Sequence, residues 1–213
     1  IITTKGIPYF LVFPEKFVNT EITTAITNLA PSRISKSIQT ISSAIEFFKQ
    51  QGITEQWIKR EISTFHYLMM LNHFSGRSFS AASMYPLFPW ILSDYTSETL
   101  DLTNRNTFRD LSLPVGHIGK ERFEALLQRR QEMESFEERA FMFSSYAVSP
   151  LITYLWLMRV EPFTTLHIDI QSGKFDHAAR QFSSISDTYQ MVTGHMNDFR
   201  ELLPEFFFNK EFL

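Results

Sequence analysis

The sequence predicts a mostly α-helical fold threaded by long irregular segments. Three observations carry this. Apolar residues recur at spacings of three and four over several stretches, as they do on one face of a helix. β-Prone composition is concentrated in the first 13 residues, IITTKGIPYFLVF. Residues 77–118 hold Pro86, Pro89 and Pro114 with many aromatics and show no clear period.

Residues 1–13 read as two short strands, punctuated by Lys5-Gly6 and Ile7-Pro8. Two strands do not make a stable sheet alone, so they read as the tail of a domain that starts upstream. The chain begins at Ile1, without Met or a signal-peptide pattern, and is read as an excerpt of a longer polypeptide. A helix follows Pro14, with Val18, Ile22, Ala25, Ile26 and Leu29 on one face and Pro31 ending it. Ile34, Ile38, Ile41, Ile45 and Phe48 repeat the spacing on a Ser/Thr-rich background of modest helix propensity, and Gly52 stops that run. EISTFHYLMMLNHFSG offers Ser63 or Thr64 as an N-cap, an apolar body and Gly76 as the stop.

The stretch 77–118 carries Tyr85, Leu87, Phe88, Trp90, Ile91, Leu92 and Tyr95, too apolar for an exposed loop. It therefore predicts irregular backbone inside the core, whose amides and carbonyls need side-chain partners. Residues 120–139 predict a charged amphipathic helix with Phe123, Leu126, Leu127 and Met133 inward and the Arg/Glu run solvated. Ser149 and Pro150 are placed as N-cap and first residue of an apolar, central helix. Residues 178–200 read as helix again. There is no internal repeat and no low-complexity tract.

At 44% hydrophobic and 20% charged the chain can bury a sizeable core and is not disordered. With 22 Phe, each contributing about 1.5–3 kcal/mol when buried, that core is aromatic-rich. The net charge of −3 gives no argument for a nucleic-acid surface. No cysteine is present, which excludes disulfides and Cys-based zinc sites and fits a reducing compartment. No apolar run reaches the ~20 residues of a membrane-spanning helix.

The densest cluster of candidate chemistry is EPFTTLHIDIQSGKFDH, residues 161–177, with His167, Asp169, Asp176 and His177 among apolar residues. A metal site needs three converging ligands with supporting second partners. Read as a strand, the segment puts His167 and Asp169 on one face, with Ile168 and Ile170 on the other. Asp176 and His177, being adjacent, diverge. The competing reading is that these polar groups satisfy irregular backbone in a buried network. No GxSxG elbow frames a catalytic triad. His66 and His73 lie seven apart, on one helical face and partly buried. Arg109 and Asp110 are candidates for a buried ion pair. Trp90 reads as core.

MYPLFPWILSDY (84–95), ETLDL (98–102), FRDLSLPVG (108–116), RVEPFTTLHIDIQSGKFDHAAR (159–180) and ELLPEFFFNKEFL (201–213) together resemble the BEACH domain. WIKREISTFHYLMMLNHFSGRSF (57–79) looks like that family's opening segment. Six pieces in order over about 160 residues make the resemblance specific. It implies a mostly α fold with extensive irregular core segments. It also implies that 1–30 are the last strands and C-terminal helix of a PH-like domain, 31–52 a linker and helix, and 53–213 the N-terminal two-thirds of BEACH. A WD-repeat propeller usually follows in this family. The chain departs from the family at Thr64, where Asn is usual, at QSG (171–173), where QGG is common, and at AFMFSSYAVS (140–149), where a segment like PFHYGTHYSS is usual.

The resemblance implies a non-enzymatic scaffold in vesicle, lysosome-related and autophagic membrane traffic. Such a scaffold is cytoplasmic or peripheral on endolysosomal or vesicle membranes. It takes protein partners among trafficking factors, with no cofactor, no metal and no nucleic acid. Tyr9, Phe10 and Phe13 are the candidate lining of a partner groove at the PH–BEACH junction. Asn72, Arg77, Trp90, Asp94, Arg109, Asp110, Glu161, His167, Asp176 and His177 are read as the fold's internal network. Two other readings stand beside this one: a signalling adaptor that anchors a kinase or lipid-modifying enzyme, and a metal-dependent hydrolase built on 161–177.

Overall fold

The periodicity read from residue 18 onward produces helix α1 (Lys16–Leu29) in the computed structural model. The structure describes residues 16–29, 43–136, 139–143 and 149–213. The strands predicted over 1–13, most of the second predicted helix and part of the 140–149 segment lie outside the described residues. The chain divides into two compact units, Ile1–Ser80 and Ala81–Leu213.

In the first unit, α1 carries Ile26 and Leu29 exposed. Three short helices follow: α2 (Ala44–Gln50), α3 (Ile53–Ile58) and α4 (Thr64–Phe74). Ser43 caps α2 by accepting from the Glu46 N–H, and Ser63 caps α4 by accepting from the His66 N–H at 3.1 Å. Of the two N-caps considered for α4, Ser63 is the one used, because its extended backbone points its oxygen at the free amides of the first turn. Gly52 (φ +62°) turns α2 into α3, a helix the sequence reading did not separate, and Gly76 (φ +81°) ends the segment after α4. Aromatic contacts hold these helices together. The Trp57 and Tyr67 rings stack at 4.5 Å, and Phe74 packs against Phe47 and Phe48. His73 is half-buried against Phe74, whereas His66 is exposed, so the two do not share a buried face.

The second unit contains the predicted irregular chain, but only part of it is core: residues 85–92 are buried or half-buried, with Thr107, Arg109, Val115 and Gly116 buried further on, whereas 96–106 and 110–114 are exposed. Residues 81–118 contain short 3₁₀ turns at Ala82–Met84, Arg105–Thr107 and Val115–His117. Two isolated antiparallel bridges, Phe88 with Leu202 and Leu92 with Phe108, are the sheet-like pairing among the described residues. Four Asx-type turns fold the loop locally, with the side chains of Asp94, Asp101, Asn104 and Asp110 each accepting from a main-chain N–H two residues on. These turns, with backbone bonds such as Arg109 N–H to the Ile91 carbonyl, help a 38-residue stretch without α-helix or extended strand to satisfy its backbone.

Four helices surround it: α5 (Lys120–Ser135), α6 (Pro150–Trp156), α7 (Phe163–Ile170) and α8 (Ile185–Gly194). Ser149 and Pro150 begin α6 as read from the sequence. Two expectations are corrected. Residues 178–200 are not one helix. A 3₁₀ turn at Ala178–Arg180 precedes α8, and the chain beyond Gly194 is irregular because its carbonyls at Asp198, Arg200 and Glu201 accept side-chain donors from elsewhere in the unit. The charged face of α5 is not wholly solvated, since Arg122 is buried beside Leu126.

Trp90, Trp156, Leu126, Leu203 and Phe212 have no exposed surface and centre the core. Trp156 meets Phe182 and Phe206 edge-on at 4.9 Å, and Phe206 meets Phe212 at 4.8 Å. These edge-to-face contacts are the favoured arrangement of aromatic rings. Among the described residues no helix is long and apolar enough to cross a membrane.

Candidate functional site

The segment 161–177 is helical rather than extended over its middle, as α7. The strand geometry predicted for it therefore does not apply. Residues two apart on a helix point to opposite sides, so His167 is fully buried while Asp169 is exposed. The helix ends where Ser172 (φ +59°) and Gly173 (φ +81°) turn left-handed. Their N–H groups donate back to the carbonyls of Asp169 and Ile168, the paired bonds that close a helix C-terminus. This reversal returns Phe175 to His167, with ring centroids 5.9 Å apart.

Asp176 accepts from the main-chain N–H of His177 at 2.7 Å and from Arg180 at 3.4 Å, while its carbonyl accepts from the Gln181 amide at 3.0 Å. The first of these bonds, opposed by burial, holds the Asp176 carboxyl below its ordinary range, with Arg180 adding to it. The His177 ring is exposed, and its hydrogen bond to Asp176 comes from its main chain. Glu161 is exposed and accepts from the Thr165 hydroxyl at 3.1 Å across the first turn of α7.

A cavity of about 320 Å³ opens between α6, α7 and the end of α8. Leu151, Ile152, Leu155 and Met191 form apolar walls, and Asp176, Arg180, His195 and Asp198 are among the polar groups lining it. His167 is part of the lining and has no exposed surface. Neither of its ring nitrogens has a hydrogen-bond partner among the described residues, and neither does the Gln181 Oε1. Burial pushes the His167 pKa down, with Asp176 and then Gln181 opposing. Gln181 is thus near enough to favour the protonated ring, but the contact falls short of a hydrogen bond of ordinary geometry. Burial thus favours the neutral form of the imidazole. Among the described residues no group of three or more His, Cys, Asp or Glu side chains could hold a metal ion.

The other network residues hold main chain in place. Trp90 donates from its indole to the Arg200 carbonyl at 2.7 Å, and its N–H donates to Glu201 at 2.9 Å. Arg109 pairs with Glu201 at 3.0 Å and also donates to the Leu113 carbonyl. Its partner is thus not the adjacent Asp110, which faces solvent and accepts from Ser112 through the hydroxyl and N–H. Asp94 is held down to about 2 by hydrogen bonds from Ser97 and Thr96. In the first unit, Asn72 is buried and donates to the Leu68 carbonyl, while its own carbonyl accepts from the Arg77 N–H at 2.9 Å. Burial lowers the Arg77 pKa. Tyr9, Phe10 and Phe13 lie outside the described residues.

Sequence reading missed four members of this network: Arg122, Gln181, Glu201 and Glu205. Arg122 donates to the carbonyls of Val192 and Asp198 and lies over the Phe199 ring at 4.7 Å. Its position one turn before Leu126, on the buried face of α5, was the available signal. Glu201 and Glu205 are acids inside the apolar run ELLPEFFF, where a buried carboxylate needs a partner. Gln181 carried no signal.

Comparison with known proteins places these features. The Beige/BEACH domain family matches residues 55–213. "BEACH domain-containing protein B" of Arabidopsis thaliana is 43% identical over 159 residues, 75% of this chain and 6% of that protein. "BEACH domain-containing protein lvsE" of Dictyostelium discoideum is 38% identical over 209 residues, 96% of this chain and 9% of that protein. A "Putative neurobeachin homolog" of Caenorhabditis elegans is 42% identical over 166 residues, 78% of this chain and 7% of that protein. The chain thus spans less than a tenth of the length of these relatives.

Proposed function

Since the chain belongs to the BEACH domain family, we propose that it is part of a non-enzymatic scaffold that binds protein partners in vesicle traffic and in lysosome-related or autophagic membrane dynamics. The observation that carries this reading is the commitment of buried polar groups to main chain. Arg109, Arg122 and Trp90 all donate to carbonyls or carboxylates that fix irregular segments. A group held by several fixed hydrogen bonds is poorly placed to move a proton or attack a substrate.

On this reading residues 1–30 end a PH-like domain, 31–52 link it to BEACH, and Tyr9, Phe10 and Phe13 line a partner groove. The protein works in the cytoplasm or on the surface of endolysosomal or vesicle membranes, within a longer polypeptide that carries WD repeats. The test is affinity capture with the full-length protein beside a variant with Tyr9, Phe10 and Phe13 changed to Ala. Membrane-trafficking factors retained by the first and lost by the second support the scaffold. Background recovery in both overturns it. Recovery of a kinase or lipid-modifying enzyme instead would favour the adaptor reading.

A further inference from the structure

We propose that the cavity between α6, α7 and α8 is a recognition pocket for the phenol of a tyrosine in a partner protein. This rests on the scaffold reading and adds to it the chemistry a partner inserts. Three features of the cavity select that chemistry.

The first is an unmet hydrogen-bond acceptor. His167 is wholly buried, and among the described residues both its ring nitrogens lack partners, as does the Gln181 Oε1. A neutral imidazole carries one N–H and one bare nitrogen. Gln181 Oε1 can only accept, so the ring N–H is the group that suits it. The other ring nitrogen is then left needing a donor. Buried polar groups without partners are rare, and a native one calls for an explanation beyond packing.

The second feature is charge balance. Asp176 is paired with Arg180 and Asp198 with Arg200, the latter at 2.7 Å. An ionic ligand would have to compete with one of these pairs, whereas a neutral donor leaves them intact. The third is the wall chemistry. Leu151, Ile152, Leu155 and Met191 favour an aromatic or aliphatic stem, and about 320 Å³ accommodates a ring. A phenol combines a neutral O–H donor with an apolar ring.

The test uses the 213-residue chain with ¹³C-labelled histidine and three probes: p-cresol, toluene and p-toluate. p-Cresol should shift the His167 ring signals saturably. It should bind about tenfold more tightly than toluene, the worth of one hydrogen bond. p-Toluate should produce no saturable shift. In His167→Phe the preference for cresol over toluene should vanish and the thermal midpoint should hold or rise, because an unmet polar group has been removed. In Leu155→Trp, which fills the cavity from α6 and keeps His167, the cresol response should be lost. Equal affinity for cresol and toluene, no saturable shift with cresol, or an intact response in Leu155→Trp overturns the pocket. If cresol binds but partner capture fails, the scaffold reading falls and takes the partner tyrosine with it, leaving only a phenol-binding cavity. If capture succeeds without cresol binding, only the pocket falls.

Discussion

Arg109 and Glu201, 92 positions apart, meet at 3.0 Å and join the irregular segment 81–118 to the last stretch of the chain. Glu201 also accepts from the Trp90 N–H, so one carboxylate serves both the guanidinium and the main chain. The Arg109 side chain is 5% exposed. Burial raises the Glu201 pKa, and Arg109 opposes that shift. Changing either residue alone to Ala leaves the other charge buried without its partner, a loss of about 3–5 kcal/mol. Urea unfolding should show each single variant destabilised by that order. The double variant should cost clearly less than the sum, because the second change removes the stranded charge. Additive losses would mean that the pair is not coupled.

Tyr85 donates to the Glu205 Oε1 at 2.6 Å, while the Glu205 Oε2 has no partner among the described residues. Burial pushes the Glu205 pKa up from 4.5, with the Tyr85 hydroxyl opposing. The folded state therefore holds this proton more tightly than the unfolded chain. The stability linked to it is full below the unfolded value and is lost as pH rises through the raised folded value. Glu205→Gln keeps an acceptor for Tyr85 and does not ionise, so its stability should fall less than that of the wild type between pH 4 and 7. Urea midpoints across that range measure it. Parallel profiles would show that Glu205 does not titrate there.

Removing the hydroxyl in Tyr85→Phe strips the buried carboxylate of its donor. The cost should be about 1.5–3 kcal/mol at pH values where Glu205 is ionised. In Glu205→Gln the same change should cost less, since a neutral acceptor is left behind. Chemical denaturation of the four proteins in this cycle provides the readout.

Gly116 is buried, and a Cβ placed on it would lie 2.1 Å from a carbon of the Phe143 ring. That ring packs on Phe199 at 5.0 Å. Gly116→Ala should lose about 1–3 kcal/mol through overpacking. Phe143→Leu in the same chain should recover part of the loss by freeing the space. If Gly116→Ala is neutral alone, the contact is looser than the geometry requires.

Trp90 has no exposed surface and contacts Tyr95, Trp156 and Tyr189 within 6 Å. Trp90→Ala should cost about 3–5 kcal/mol by thermal or chemical unfolding. Trp90→Phe keeps most of the ring but leaves the Arg200 carbonyl without its donor. Its smaller loss separates the hydrogen bond from the volume.

The sequence by itself determined the local architecture. Ser43, Ser63, Ser149 and Ser184 stand where an extended residue can offer its oxygen to the free amides of a first turn, and each caps a helix. The proline-rich, aromatic run at 85–92 could neither continue a helix nor face water, and it is irregular core, whereas residues 96–106 and 110–114 are irregular and exposed. What only the tertiary structure decided is who partners whom. Arg109 has Asp110 beside it in sequence but takes Glu201, because adjacent side chains on extended backbone point apart while the fold brings a distant carboxylate to the guanidinium. His167 looked paired in a strand with Asp169 and instead sits on a helix over a cavity, since apolar and polar residues alternating over so short a run fit either period. Caps and breaks are written in neighbouring residues. Hydrogen-bond partners of a wandering main chain are set by contacts across tens of positions, and no local pattern encodes them.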